Sequence, residues 1–193
     1  MKHALYDYYN RDPDYQQIRY NARKGDEDLA TLILFADVYD YALLDGRRIT
    51  PTTRSRRNTA GSSIIQTYFG DEAWAGEVRA IFLHRQPGVS KSEETLLIMV
   101  AWMKESEYGP LNDDDNGFVW NQFPELGINT WEYEEYENPD DEGSHPLIIP
   151  LNEVHCQISL GSLEHTDPKL WITTTMDRYP TSLLTHGFGN LIE

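Results

Sequence analysis

Carboxylates are the most concentrated reactive groups in this sequence. Between Glu107 and Glu142 lie twelve acidic residues and no Lys or Arg. Calcium is the first chemistry to test there. Setting Gly117 at the glycine of an EF-hand loop puts Asn112, Asp114 and Asn116 at the first three ligand positions and Val119 at the usual apolar one. Phe123, however, stands where a bidentate Glu must be, so the run reads as a solvated acidic loop. The histidines (His3, His84, His145, His155, His165 and His186) show no zinc spacing, and one cysteine cannot build a Cys-rich site. His155 and His165 can approach each other across a strand turn, though two surface histidines flanking a loop is the plainer expectation. Cys156 falls at an inward position of an alternating segment and reads as core, not as a nucleophile. No nucleophile elbow, phosphate-cradling loop or dinucleotide fingerprint is present. The spacing singles out no acidic pair for acid–base or two-metal work, so a metal-dependent hydrolase or nuclease is the weakest of the functional expectations.

Two other groups of side chains are suited to binding. Arg47, Arg48, Arg54, Arg56 and Arg57 form a basic arm with no acid among them, able to contact phosphates. Tyr68, Trp74 and Trp102 sit on or beside strand-like segments. Such aromatics can cage a methylated lysine through cation–π attraction. They also commonly fill a core, and that reading is stronger for the two tryptophans than for Tyr68.

The whole chain limits these options. It has 193 residues, 16 basic and 32 acidic, for a formal charge of −16. Taken whole, it should be repelled by nucleic acid and by anionic lipid. A single cysteine excludes an intramolecular disulfide and favours a reducing, intracellular compartment. Met1–Tyr20 is polar and tyrosine-rich, unlike a signal peptide, and the apolar run Leu96–Met103 is too short to span a bilayer.

Local patterning supplies the elements that must position these residues. Residues 1–36 read as a helical lead-in. Asp12-Pro13 suits a helix start, Gly25 interrupts, and Asp26-Glu27-Asp28 precede a second helix with Leu29, Leu32, Ile33 and Ala36 on one face. Tyr39–Ile49 reads as a strand or hairpin turning at Asp45-Gly46. SSIIQTYF and WAGEVRAIFL form a strand pair around Gly70-Asp71-Glu72-Ala73. In the second of these, Trp74, Gly76, Val78, Ala80 and Phe82 are expected on one face. Leu96–Met103 is ambiguous. Ser90-Lys91-Ser92-Glu93 resembles a capping box before a helix, yet a short buried strand fits equally well. Residues 105–144 read as a long acidic loop insertion. LIIPL, VHCQISL and LWITTTM then read as three strands. Val154, Cys156, Ile158 and Leu160 alternate in the middle one, and residues 185–193 form a flexible tail.

The order of IIQTYFGDEAWAGEVRAIFLHR, LLIMVAWMKE, PLIIPLNEVHCQISL and LWITTTMDRYP resembles the layout of a bromo-adjacent-homology (BAH) domain. Val100-Ala101-Trp102 stands at that family's Val-x-Trp-like strand, and Ile149–Cys156 at its late strand. More closely, AGEVRAIFLH, IPLNEVHCQISL and LWITTTMDRYPTSLL look like the C-terminal β-domain of fungal CACTA/Plavaka-type transposon proteins, a likeness running from Tyr39 to Leu184. The resemblance favours a strand for Leu96–Met103. It implies a mainly β chain, with a BAH-like small β-barrel over residues 37–184 behind the helical segment. It also implies a noncatalytic, nuclear, transposon-associated interaction module that binds protein or chromatin, with histone tails as candidate ligands. The transposase nuclease of that family lies upstream, and no residue here matches it. No catalytic residue, metal ligand or cofactor is therefore assigned. Nucleic-acid binding through the basic arm is the alternative.

Overall fold

The computed structural model describes residues 2–11, 18–20, 30–54, 63–87, 96–107, 126–164 and 167–175. The chain is mainly β, and the described residues form one α-helix, α1 (Lys2–Asn10), and ten strands. The strands are β1 (Ala36–Tyr39), β2 (Ala42–Leu44), β3 (Arg47–Ile49), β4 (Ile64–Phe69), β5 (Glu72–His84), β6 (Leu96–Glu105), β7 (Asn129–Tyr136), β8 (Ile148–Pro150), β9 (Val154–Leu163) and β10 (Leu170–Thr175). Eight belong to one antiparallel sheet in the order β1-β5-β4-β9-β10-β7-β6-β8, and β6 also pairs with β5. The pairings β5–β4, β4–β9, β9–β10, β10–β7, β7–β6 and β6–β5 thus form a closed circuit.

Long strands make this circuit possible. β5 has 13 residues, and β4 takes its first half on the same edge where β1 takes Ile81–His84. β6 pairs with β5 along one edge and with β8 and then β7 along the other. Leu96–Met103 is therefore strand. The capping-box tetrapeptide before it lies outside the described residues, as do Asp12-Pro13, Gly25, the calcium-like run 112–123 and the tail.

Two expectations about β structure are corrected. In β5, Val78 faces Val100 and Ala80 faces Met99, so Arg79 is an extra residue that shifts the alternation by one. Val78 and Ile81 therefore share one core cluster, while Ala80 and Phe82 pack in another. The single face Trp74–Phe82 does not exist. The second correction concerns residues 105–144, where Asn129–Tyr136 forms β7. Thr130 and Trp131 are buried, with the Trp131 indole donating to Thr173 Oγ1 at 2.8 Å. The pairing of β7 with β6 jumps from Glu105↔Trp131 to Met103↔Tyr136 around Glu134, whose φ is +58°. This wide bulge breaks the regular alternation by which a strand is usually read.

The helical lead-in is formed only in part. α1 buries Ala4, Leu5 and Tyr9 against Phe82, Leu97 and Ile148. Residues 30–35 are not helical, and β1 follows them directly. Their backbone finds partners outside any helix: Arg19 N donates to Ala30 O, and Leu32 N to Arg19 O, both at 2.9 Å. The buried Gln86 amide acts like a neighbouring strand, accepting from Ile33 N at 2.9 Å and donating to Thr31 O at 3.0 Å. His84 completes the clamp. Its Nε2 donates to Ile33 O at 2.8 Å, so its Nδ1 is left to accept from the Tyr9 hydroxyl at 2.7 Å. One buried imidazole thus ties α1, segment 30–35 and β5 together.

The β2–β3 hairpin turns at Asp45-Gly46 with φ of +47° and +78°, the two left-handed residues that a tight hairpin requires. It covers the first core cluster with Ala42 and Ile49 over Ile65, Val78 and Ile98. Cys156 is buried as read from its alternation, and its thiol donates to Gln66 Oε1 at 3.6 Å.

Candidate ligand-binding site

β4 and β5 meet at the Gly70-Asp71 turn, and this hairpin distributes the candidate aromatics. Successive strand residues face opposite sides, so Tyr68 and Phe69 part company. Tyr68 stays 49% exposed, its ring edge-on to His155 with centroids 5.0 Å apart. Phe69 turns inward, edge-on to Trp102 at 5.2 Å. Trp102 is buried and donates its indole N–H to Pro146 O at 2.8 Å. Trp74 and Trp102 converge, but Tyr68 does not join them.

The two tryptophans converge on His145. Its ring lies 4.0 Å from Trp74, 4.3 Å from Phe69 and 6.3 Å from Trp102. Glu137 holds it in place, with Oε1 2.9 Å from Nδ1 and Oε2 accepting the His145 backbone N–H at 3.1 Å. Nδ1 must carry a proton to make that bond. The supporting loop is anchored at both ends, with Glu137 N donating to Trp102 O and Val100 N to Leu147 O, each at 2.9 Å. Within it, Asn138 Nδ2 donates to Asp141 Oδ1 at 2.8 Å. The arrangement is an aromatic box with a carboxylate, filled by a side chain of the same protein. In the sequence His145 is one of six scattered histidines. The signal it carried was position, directly before the β8 strand that the box leans on.

Trp74 is also a wall of a cleft of about 250 Å³. Trp131 forms another wall, its ring centroid 5.6 Å from that of Trp74. Glu72 and Glu105 are exposed, Ala73, Ser106, Asn129 and Thr130 complete the lining, and no basic residue takes part. Two indoles with two carboxylates in one half-open cleft can hold a cationic side chain by π attraction and charge. Glu72, Glu105 and Trp131 were not picked out from sequence, since β7 was not foreseen and β6 was ambiguous.

Beneath this region Glu77, nearly buried, accepts from the Tyr136 hydroxyl at 2.6 Å and from Arg79 Nη2 at 2.7 Å. The Arg79 guanidinium lies 4.8 Å above the Tyr136 ring. Burial, then the bond to Glu77, pushes the Tyr136 hydroxyl well above its ordinary pKa. The bulged arginine thus neutralises a carboxylate that would otherwise be buried unpaired.

The described members of the basic arm, Arg47, Arg48 and Arg54, are engaged separately. Arg47 and Arg48 are neighbours on β3 and face opposite sides. Arg48 stacks over Tyr41 at 4.2 Å, and Arg54 lies 3.4 Å from Asp40. Arg56, Arg57 and His165 lie outside the described residues. Among the described residues there is no group of three or more His, Cys, Asp or Glu side chains placed to hold a metal ion, and no helix is long and apolar enough to cross a membrane. No family model matches the chain, and neither the curated proteins nor the solved structures contain a match.

Proposed function

We propose that this chain is a noncatalytic interaction module, a BAH-like β-barrel of a fungal transposon-derived protein, that binds a basic protein segment such as a histone tail in the nucleus. The observation that carries the proposal is the cleft walled by Trp74 and Trp131 with Glu72 and Glu105 beside them. A lysine or methylated lysine would enter the cleft against the Trp74 ring and leave its charge near the carboxylates. The closed circuit of strand pairings supports the barrel, and the formal charge of −16 favours a basic partner over an acidic one. The resemblance to transposon β-domains supplies the biological setting.

A histone-peptide array at physiological salt tests the ligand, read for wild type and for Trp74→Ala. The expected outcome is binding to a subset of lysine peptides that depends on methylation and falls about 3- to 30-fold in the variant, the worth of one cation–π contact. Binding that follows peptide charge alone, and is unchanged in Trp74→Ala, would refute the reader function.

A further inference from the structure

A second binding surface lies away from the cleft, on strand β1. β1 ends the eight-stranded sheet, and its only partner among the described residues is β5. Among the described residues nothing pairs with its other edge, where backbone N–H and C=O groups are available to a further strand. Open edges are normally blunted by shortness, charge, proline or a bulge. Ala36-Asp37-Val38-Tyr39 is short and carries one charge, Asp37, but it has no lysine or proline and its register with β5 is regular. The side chains beside the edge are apolar and uncovered, with Phe35 87%, Val38 62% and Leu34 49% exposed. Scattered apolar residues are ordinary on a surface, but a contiguous group on an open edge is not.

We propose that β1 is a docking edge for an extended segment of a partner protein, which adds as a further strand and carries alternating apolar and basic residues. The open ladder requires an extended occupant, because only a strand satisfies successive N–H and C=O groups at this spacing. Val38 lies beside Phe82 on the side of the sheet that α1 covers. An apolar residue of the added strand would cover Val38 and extend that cluster. Asp37 makes no ion pair among the described residues, unlike Asp40, which lies 3.4 Å from Arg54. A basic residue opposite Asp37 would complete it. A second copy of the chain fits less well. It would bring together two molecules of charge −16 and place two Asp37 carboxylates on one short ladder.

The test uses the full chain and a short blocked peptide of alternating valine and lysine. A control peptide has the same sequence with alternate backbone nitrogens methylated. The expected result is amide-exchange protection of at least about tenfold at Ala36–Tyr39 with the first peptide, absent with the control and in Val38→Lys. Val38 is exposed, so that variant keeps the core intact. Binding without protection at β1, equal binding by the methylated control, or no binding would overturn the proposal. So would a wild-type dimer in sedimentation whose β1 amides are already protected. Trp74→Ala leaves this edge untouched, so loss of the cleft function and loss of edge docking are read separately.

Discussion

At the residue scale, His145 and His84 show how differently one side chain type can be used. His145 sits among Phe69, Trp74 and Trp102 with Nδ1 bonded to Glu137. His145→Ala is expected to cost about 1–3 kcal/mol, from lost ring contacts and a carboxylate left without its donor. Chemical denaturation measures this, and Glu137→Gln should cost less because an amide oxygen still accepts. His84 pairs with the Tyr9 hydroxyl and donates to Ile33 O, an arrangement that uses both ring nitrogens. Burial raises the Tyr9 hydroxyl pKa, as burial and the Glu77 bond do for Tyr136. In the unfolded chain both ionise near the ordinary value of about 10. Their contribution to stability is therefore complete below that pH and is lost as pH rises from there toward the raised native values. Absorbance titration should show two classes of tyrosine, the late class ionising together with alkaline unfolding. Tyr136→Phe should make the fall in Tm above about pH 10 shallower, and an unchanged slope would show that Tyr136 is not responsible.

At the element scale, the hairpins were legible and the irregular strands were not. Asp45-Gly46 announces its turn because few residue pairs tolerate two positive φ angles, and the turn forms with φ of +47° and +78°. The alternation in VHCQISL is clean, so Val154, Cys156 and Ile158 were readable as buried. β5 carried a readable alternation as far as Arg79. There one inserted residue moved Ile81 into the cluster of Val78, and a bulge leaves no mark in hydrophobic period alone. β7 was hidden because Glu132, Glu134 and Glu135 make it look like solvated loop, while its only buried residues are the adjacent Thr130 and Trp131, which leave no alternation to read. The cleft was illegible for that reason, since one of its indoles comes from β7. Close strand packing gives a prediction at this scale. A Cβ on Gly76 would lie 2.6 Å from Trp102 Cε3, with Val100 Cγ1 also in contact. Gly76→Ala should therefore destabilise by about 1–3 kcal/mol, despite the usual preference for alanine in strand interiors. Thermal unfolding checks it, and a neutral or stabilising result would show that Val100 and Trp102 can yield to the added methyl group.

At the scale of the whole molecule, charge acts on stability and on binding in opposite directions. A formal charge of −16 on 193 residues means that folding gathers like charges into a small volume. Counterions screen that repulsion, with a Debye length falling from about 30 Å at 0.01 M to about 8 Å at physiological ionic strength. Adding sodium chloride across that range should raise the Tm, most steeply at the low end. The cleft responds oppositely. Glu72 and Glu105 are exposed, so their pull on a cationic ligand weakens as salt rises, while contact with Trp74 and Trp131 is far less sensitive. Basic-peptide affinity should thus fall with salt to a plateau set by the indoles. In Glu72→Gln/Glu105→Gln the salt slope should shrink and the plateau remain, whereas Trp74→Ala should lower the plateau and keep the slope. Titrations of one lysine peptide at several salt concentrations separate the two effects. An affinity that falls without a plateau in wild type would mean that only the acidic surface attracts the peptide, and that the indoles contribute nothing.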